Sequence, residues 1–164
     1  MKTYKYLMAL MMVITLLSCT EDQQATLPEK NDTSVESGYN EALANELGAD
    51  EYGMRKYVMA FLKAGPNRDQ DSVTAANLQR AHLDNIQRLA DEGKLVLAGP
   101  FMDDGEIRGI YIFNVTSLDE ARKLTETDPA IIAGRLEMEL HTWYGSAAVM
   151  KVNDIHSTLS KTDL

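Results

Sequence analysis

The sequence has little of several residues on which common protein chemistries depend. It holds one cysteine in 164 residues, Cys19, so no disulfide can form within the chain and no thiol nucleophile follows that position. Its three histidines, His82, His141 and His156, are far apart and form no His-x-x-x-His pair, so we expect no metal site. Glycine-rich phosphate loops, nucleophile elbows and dinucleotide fingerprints are missing, and we expect no cofactor.

An excess of positive charge is also missing. The formal net charge is −9, from 25 acidic and 16 basic residues. A chain of this charge repels phosphate backbones, and no basic stripe along the sequence compensates for it. We therefore expect no nucleic-acid partner.

No apolar run is long enough to be a permanent transmembrane helix. The run from Leu7 to Leu17 follows Lys2 and Lys5, as in a cleavable export signal, and Leu16-Leu17-Ser18-Cys19 resembles the lipobox of bacterial lipoproteins. The resemblance implies a lipid anchor on Cys19 in the bacterial cell envelope, with the outer membrane expected, and contact with the membrane through the lipid alone. The alternative is an ordinary secretory signal with an unrelated cysteine.

Composition divides the chain into five parts. Residues 1–18 are the predicted signal peptide, and 19–37 are polar, as expected for a lipidated cysteine and a flexible tether. Residues 38–53 predict a short helical extension, 54–150 a single structured domain, and 151–164 a C-terminal tail.

Hydrophobic periodicity predicts four strands and two helices in the domain. The strands are Tyr57–Lys63, Leu95–Ala98, Gly109–Val115 and Leu136–Tyr144, and the helices run from about Ala75 to Glu92 and from Ser117 to Thr125. The order βαββαβ predicts a ferredoxin-like α+β fold, in which two helices cover one face of a four-stranded antiparallel sheet.

The opposite face of this sheet also needs a cover, because the first and third strands are apolar on both sides. We assign Tyr57, Met59, Phe61, Tyr111 and Phe113 to that face. A second copy of the chain is the simplest cover, so we expect a homodimer. The alternatives within one chain are the N-terminal helix and the tail from Lys151 to Leu164.

His82 is the first candidate for chemistry. Leu78, Ile86 and Leu89 share its face of the helix, so its ring points into an apolar seam and needs a polar partner there. Asp128 precedes a proline that disfavours helical geometry, so a loop can present its carboxylate. If the two meet, the carboxylate orients an imidazole that acts as general base or acid. The alternative is a purely structural histidine.

Three separated motifs resemble one family. The segments LQRAHLDNIQRLADEGKLVLAGPF, GIYIFNV and TDPAIIAGRLEMELHTW are similar to the YciI-like (YCII-related) proteins, over roughly Met54 to Val149. The resemblance implies a dimeric α+β barrel and a dyad of His82 and Asp128 near a cleft at the dimer interface. The best understood member of the family eliminates chloride from a chlorinated hydroxyquinol, but nothing in this sequence selects an aromatic chloride.

Four candidate substrate-binding residues lie in loops or at a strand end. Gly99, Pro100 and Phe101 end the second strand near the helix of His82, where they either line the cleft or simply form a turn. Arg68, in the loop after the first strand, is placed to attract an anionic substrate, and the alternative is a solvated surface charge.

Two further candidates, His141 and Trp143, lie on the last strand. They alternate with Leu136, Met138 and Leu140, and so point away from the helices, toward a dimer interface or a pocket. Interface packing is the favoured interpretation.

Two functions stay open at this point. One is a cofactor-free enzyme that uses His82 and Asp128 for an elimination or isomerisation of a small carbonyl or phenolic compound. The other is a noncatalytic envelope module that binds a small ligand or a partner.

The predicted homodimer can be tested by sedimentation. A tag-free domain from about Glu36 onward should sediment as a dimer, because pairing buries the second apolar face. A monomer at all concentrations would contradict this expectation.

Overall fold

The computed structural model describes residues 38–162, and the chain from Tyr39 onward forms one compact unit. The predicted signal peptide and the whole of the predicted tether, with Cys19, lie outside the described residues and stay predictions. Within the described part, none of the helices has the length and apolar character needed to cross a bilayer.

The structure is a four-stranded sheet with helices. The strands are β1 (Met54–Ala64), β2 (Leu95–Pro100), β3 (Ile107–Phe113) and β4 (Leu136–Ser146), and the helices are α1 (Glu41–Glu46), α2 (Ser72–Asp91), α3 (Leu118–Thr125), α4 (Pro129–Ile132) and α5 (Val152–Leu159). A 3₁₀ turn, Ala147–Lys151, leads into α5. The sheet order is β2-β3-β1-β4, with every pair antiparallel, so the predicted α+β, ferredoxin-like fold class is confirmed.

Side-chain caps set the starts of α2 and α3. The Asp71 carboxylate accepts hydrogen bonds from the backbone N–H of Val73 and Thr74, so α2 begins three residues before the predicted start. At α3 the Ser117 hydroxyl oxygen accepts a hydrogen bond from Glu120 N–H, and the Ser117 hydroxyl donates its proton to the Glu120 carboxylate.

The main core lies between the sheet and the helices α2 and α3. Val58, Ala60 and Leu62 of β1 pack there beside Tyr111 and Phe113 of β3. The assignment of Tyr111 and Phe113 to the opposite face is therefore wrong. The strand register explains the correction, because Ala60 pairs with Tyr111 and Val58 with Phe113, which places each large ring beside a smaller side chain on the same face.

The opposite face has a smaller core of Tyr57, Val96 and Ile112. Val149, Met150 and Trp143 pack against it, and the Asn153 side chain donates to the Leu95 carbonyl oxygen at 2.8 Å. The C-terminal segment thus covers part of this face, as one of the single-chain alternatives proposed. Met59, Phe61 and Ile110 remain half-buried, and the homodimer stays a prediction.

A close backbone contact joins the end of β1 to the start of β4. A Cβ atom at Gly65 would lie 2.2 Å from the carbonyl oxygen of Gly134, a distance that requires the backbone to move.

We predict that Gly65→Ala lowers the free energy of unfolding by about 1–3 kcal/mol, measured by urea denaturation. Gly99→Ala is the control, since nothing lies within 4 Å of its new Cβ, and equal effects of the two substitutions would contradict the prediction.

Candidate active site

Helix α2 places His82 against the sheet. The helix is amphipathic, with Asn85 and Leu89 following His82 on its buried face. His82 is 7% exposed, so its ring is almost removed from water and its two nitrogens need partners within the protein.

Asp128 supplies one of these partners. Its Oδ2 lies 2.6 Å from Nδ1 of His82, and its side chain is fully buried. Asp128 has extended backbone geometry and caps α4, so its other oxygen accepts a hydrogen bond from Ala130 N–H at 2.8 Å. Because Nδ1 faces a carboxylate, its proton is donated to Asp128, and Nε2 is left as the basic edge of the ring.

A second set of contacts holds the two halves of the dyad together. The Asn85 side-chain oxygen lies 3.0 Å from the Thr127 hydroxyl and accepts a hydrogen bond from Arg88 at 2.7 Å. Arg88 also donates to the Thr127 hydroxyl. These bonds tie α2 to the residue immediately before Asp128, so they position the carboxylate relative to the imidazole.

Tyr111 reaches the same histidine from β3. Its hydroxyl lies 3.3 Å from Nε2, and the two rings are stacked with centroids 6.2 Å apart. Burial raises the pKa of Tyr111 well above its ordinary value of 10.0, and the charge of Asp128 raises it further. Tyr111 is therefore a neutral donor, and its long bond to Nε2 is weak enough to be exchanged for one to a ligand.

A cavity of about 310 Å³ lies beside these groups, and we call it the dyad cavity. Most of its wall is apolar or glycine, and its polar lining consists of Gln79, His82, Arg108 and Tyr111. The volume is at the lower end of that of small-molecule sites. Among residues 38–162, no three His, Cys, Asp or Glu side chains gather as metal ligands would.

The structure brings some of the predicted binding residues to this cavity. Gly99 and Pro100 line it, whereas Phe101 is outside the lining and 45% exposed. Arg68 lines a second, adjoining cavity.

His141 and Trp143 line neither of these two cavities, and their use at a dimer interface or in a pocket stays a prediction. Trp143 packs against Tyr57, with ring centroids 5.5 Å apart, and His141 contacts Phe61 and the Glu139 carboxylate. Side chains alternate along β4, so both lie on the sheet face opposite His82.

Sequence reasoning missed Tyr111, Gln79 and Arg108 as lining residues. Gln79 had a usable signal, because it precedes His82 by three residues and therefore shares its helix face. The prediction for Tyr111 placed it on the sheet face away from the helices, which is the wrong face. Nothing in the sequence near Arg108 indicates that its side chain lines the cavity.

Comparisons with known proteins identify a family and relatives of this chain. The YCII-related domain family matches residues 57–143. The uncharacterized protein YjpA of Bacillus subtilis (strain 168) is 32% identical over 62 residues, which are 38% of this chain and 71% of YjpA.

A solved structure is similar as well. It is 5-chloro-2-hydroxyhydroquinone dehydrochlorinase (TftG) from Burkholderia phenoliruptrix AC1100, in complex with 2,5-dihydroxybenzoquinone. The TM-score is 0.40 and the identity 20%, over 52% of this chain and 92% of TftG. The family match runs from β1 into β4 and contains both His82 and Asp128. This chain belongs to the YCII-related domain family.

Proposed function

We propose that this chain is a cofactor-free enzyme for a small molecule, in which His82 moves a proton and Asp128 orients its ring. The observation that supports this most directly is the enclosed bond from His82 Nδ1 to Asp128 Oδ2, 2.6 Å long, in the wall of an open cavity of about 310 Å³. A general base needs a basic atom within reach of the substrate and a group that stabilises its protonated form. His82 Nε2 and Asp128 meet these two requirements.

The proposed reaction is an elimination or an isomerisation of a small carbonyl or phenolic compound. Nε2 takes a proton from the substrate, and the released electron pair moves toward the substrate's oxygen or expels a leaving group. Asp128 stabilises the imidazolium, which then returns the proton to the leaving group or to another substrate atom. No electrons are gained or lost overall, so the reaction needs no redox partner.

Tyr111 has a separate part in this proposal. Because its pKa is raised, it keeps its proton and can donate a hydrogen bond to the substrate oxygen on which negative charge develops. Both His82 and Tyr111 line the cavity, so one bound molecule can meet both groups.

The alternative function is a noncatalytic module that binds a small ligand in the same cavity. The mostly apolar lining supports it equally well. For either function we propose a location at the bacterial cell envelope through a lipid on Cys19, supported by the Leu16–Cys19 sequence.

Substitution of the dyad tests catalysis. In a screen of phenolic, carbonyl and lactone compounds, we expect His82→Gln to lower kcat about 10²–10⁴-fold for any compound turned over, because the general base is lost. Asp128→Asn should also lower kcat, since its amide cannot stabilise the imidazolium. His156→Gln, in the exposed α5, is the matched control.

Folding of each variant is checked by circular dichroism and thermal unfolding. A folded His82→Gln protein with unchanged turnover contradicts the enzyme proposal. Compounds that bind the wild-type protein without being converted would favour the binding module.

Alkaline stability tests the state of Tyr111. Its pKa is raised in the folded protein, so its contribution to stability is complete below about pH 10 and is lost as the pH rises above that value. We predict that the free energy of unfolding of Tyr111→Phe falls less steeply above pH 10 than that of the wild type, by up to about 1.4 kcal/mol per pH unit. Tyr39→Phe, at a tyrosine that is 81% exposed, is the control, and its free energy of unfolding should fall with pH as steeply as that of the wild type. The same steepness for Tyr111→Phe would contradict the prediction.

A further inference from the structure

A second cavity of about 230 Å³ adjoins the dyad cavity. Its lining includes Arg68, Arg108 and Arg135, together with Gln79, Ala130 and Leu136. Gln79, Arg108 and Leu136 also line the dyad cavity, so the two spaces share a wall. The three arginines come from three separate segments of the chain, and we call them the arginine cluster.

Backbone contacts hold two members of the cluster together. The loop after β1 is bonded to the turn before β4, with Gly65 N–H donating to Arg135 O at 2.9 Å and Asn67 N–H to Gly134 O at 3.0 Å. The Arg68 guanidinium donates to the Arg135 carbonyl oxygen, at 3.2 Å. These bonds pair the Arg68 loop with the turn that bears Arg135.

Further contacts hold the side chain of Arg135 and the backbone of Arg108. Arg135 donates to the Gln70 side-chain oxygen at 2.8 Å, so its guanidinium is oriented by a neutral partner. Arg108 lies in β3, and its carbonyl oxygen accepts from Phe101 N–H, which fixes the backbone from which its side chain extends.

None of the three arginines of this cluster takes part in an ion pair within the described residues. Among residues 38–162, no carboxylate oxygen lies within 4.0 Å of a guanidinium nitrogen of Arg68, Arg108 or Arg135. Other arginines of the chain do have such partners, as in the pairs Arg80–Asp84 and Arg88–Glu92. In a chain with a net charge of −9, three uncompensated guanidinium groups around one cavity form a local positive site.

We propose that the arginine cluster binds the anionic group of the substrate while the reacting part of the same molecule occupies the dyad cavity. The substrate is then a small organic acid, with a carboxylate or a phosphate at one end and an apolar body bearing the reacting group. Guanidinium groups suit both anions, because their planar N–H donors match two oxygens at once. This inference rests on the proposed function for the reaction itself, but the anion site can be tested without turnover.

Binding of three ring compounds to the purified whole chain tests the proposal. Isothermal titration calorimetry with benzoate, phenyl phosphate and the neutral benzyl alcohol compares probes of similar size and different charge. We expect at least one anion to bind about tenfold or more tightly than the alcohol, and to weaken as salt is added. Benzoate binding more tightly would identify a carboxylate substrate, and phenyl phosphate binding more tightly a phosphate ester.

Charge-removing variants locate the site. Arg108→Gln and Arg68→Gln, both at exposed side chains, should each weaken the preferred anion about tenfold or more and leave benzyl alcohol unchanged. Arg122→Gln is the matched control, since it removes the same charge from α3 at a residue that lines neither cavity. Equal affinity for all three probes, or equal losses in all three variants, would overturn the proposal.

The outcome for the dyad is separable from the outcome for the anion site. His82→Gln should keep the preference for the anion, because the arginine cluster is intact, even though turnover is lost. If His82→Gln left turnover unchanged, the enzyme proposal would fail while the arginine-dependent anion preference stood. If that preference were absent while His82→Gln abolished turnover, the anion site would fail and the enzyme proposal would stand.

Discussion

A carboxylate that is fully buried is tolerated only where hydrogen-bond donors surround it, and Asp128 is in that position. Its two oxygens accept from His82 Nδ1–H and from Ala130 N–H. Three features keep these donors in place. They are the position of His82 on the buried face of α2, the extended backbone before Pro129, and the contact from Asn85 to Thr127. The bond between His82 and Asp128 therefore joins α2 to the α3–α4 connection, and the same contact orients the imidazole in the wall of the dyad cavity.

The two faces of the sheet contact different parts of the molecule. The face under α2 and α3 holds the dyad, Tyr111 and the dyad cavity, while the opposite face packs against the C-terminal segment around Val149 and Met150. Because successive side chains of a strand point to opposite faces, one strand serves both: Tyr111 meets His82, and its neighbour Ile112 belongs to the other core. A substitution on one face of the sheet therefore affects the other face mainly through the strand backbone that they share.

Hydrophobic periodicity was sufficient for the fold class, whereas the pairing of His82 with Asp128 followed only from the family resemblance. Helical spacing indicated that His82 is buried, and the proline after Asp128 indicated a residue outside the helix, which is how the structure presents it. The face assigned to Tyr111 was wrong because both alternating sets of β3 are apolar, so only the pairing with Ala60 decides it. That pairing, like the arginine cluster, joins segments far apart in the chain, and no local pattern records it.

The position of Trp143 gives the molecule an internal optical probe. It is the sole tryptophan of the chain, and its ring packs on Tyr57 and lies over the backbone of Gly145, on the side of the sheet away from the dyad cavity. Its emission therefore reports on the surroundings of that face, at which we predict that a second copy of the chain packs. A small molecule that fills the cavity under α2 would leave this emission nearly unchanged, so the two events are distinguishable by their spectra in a single sample.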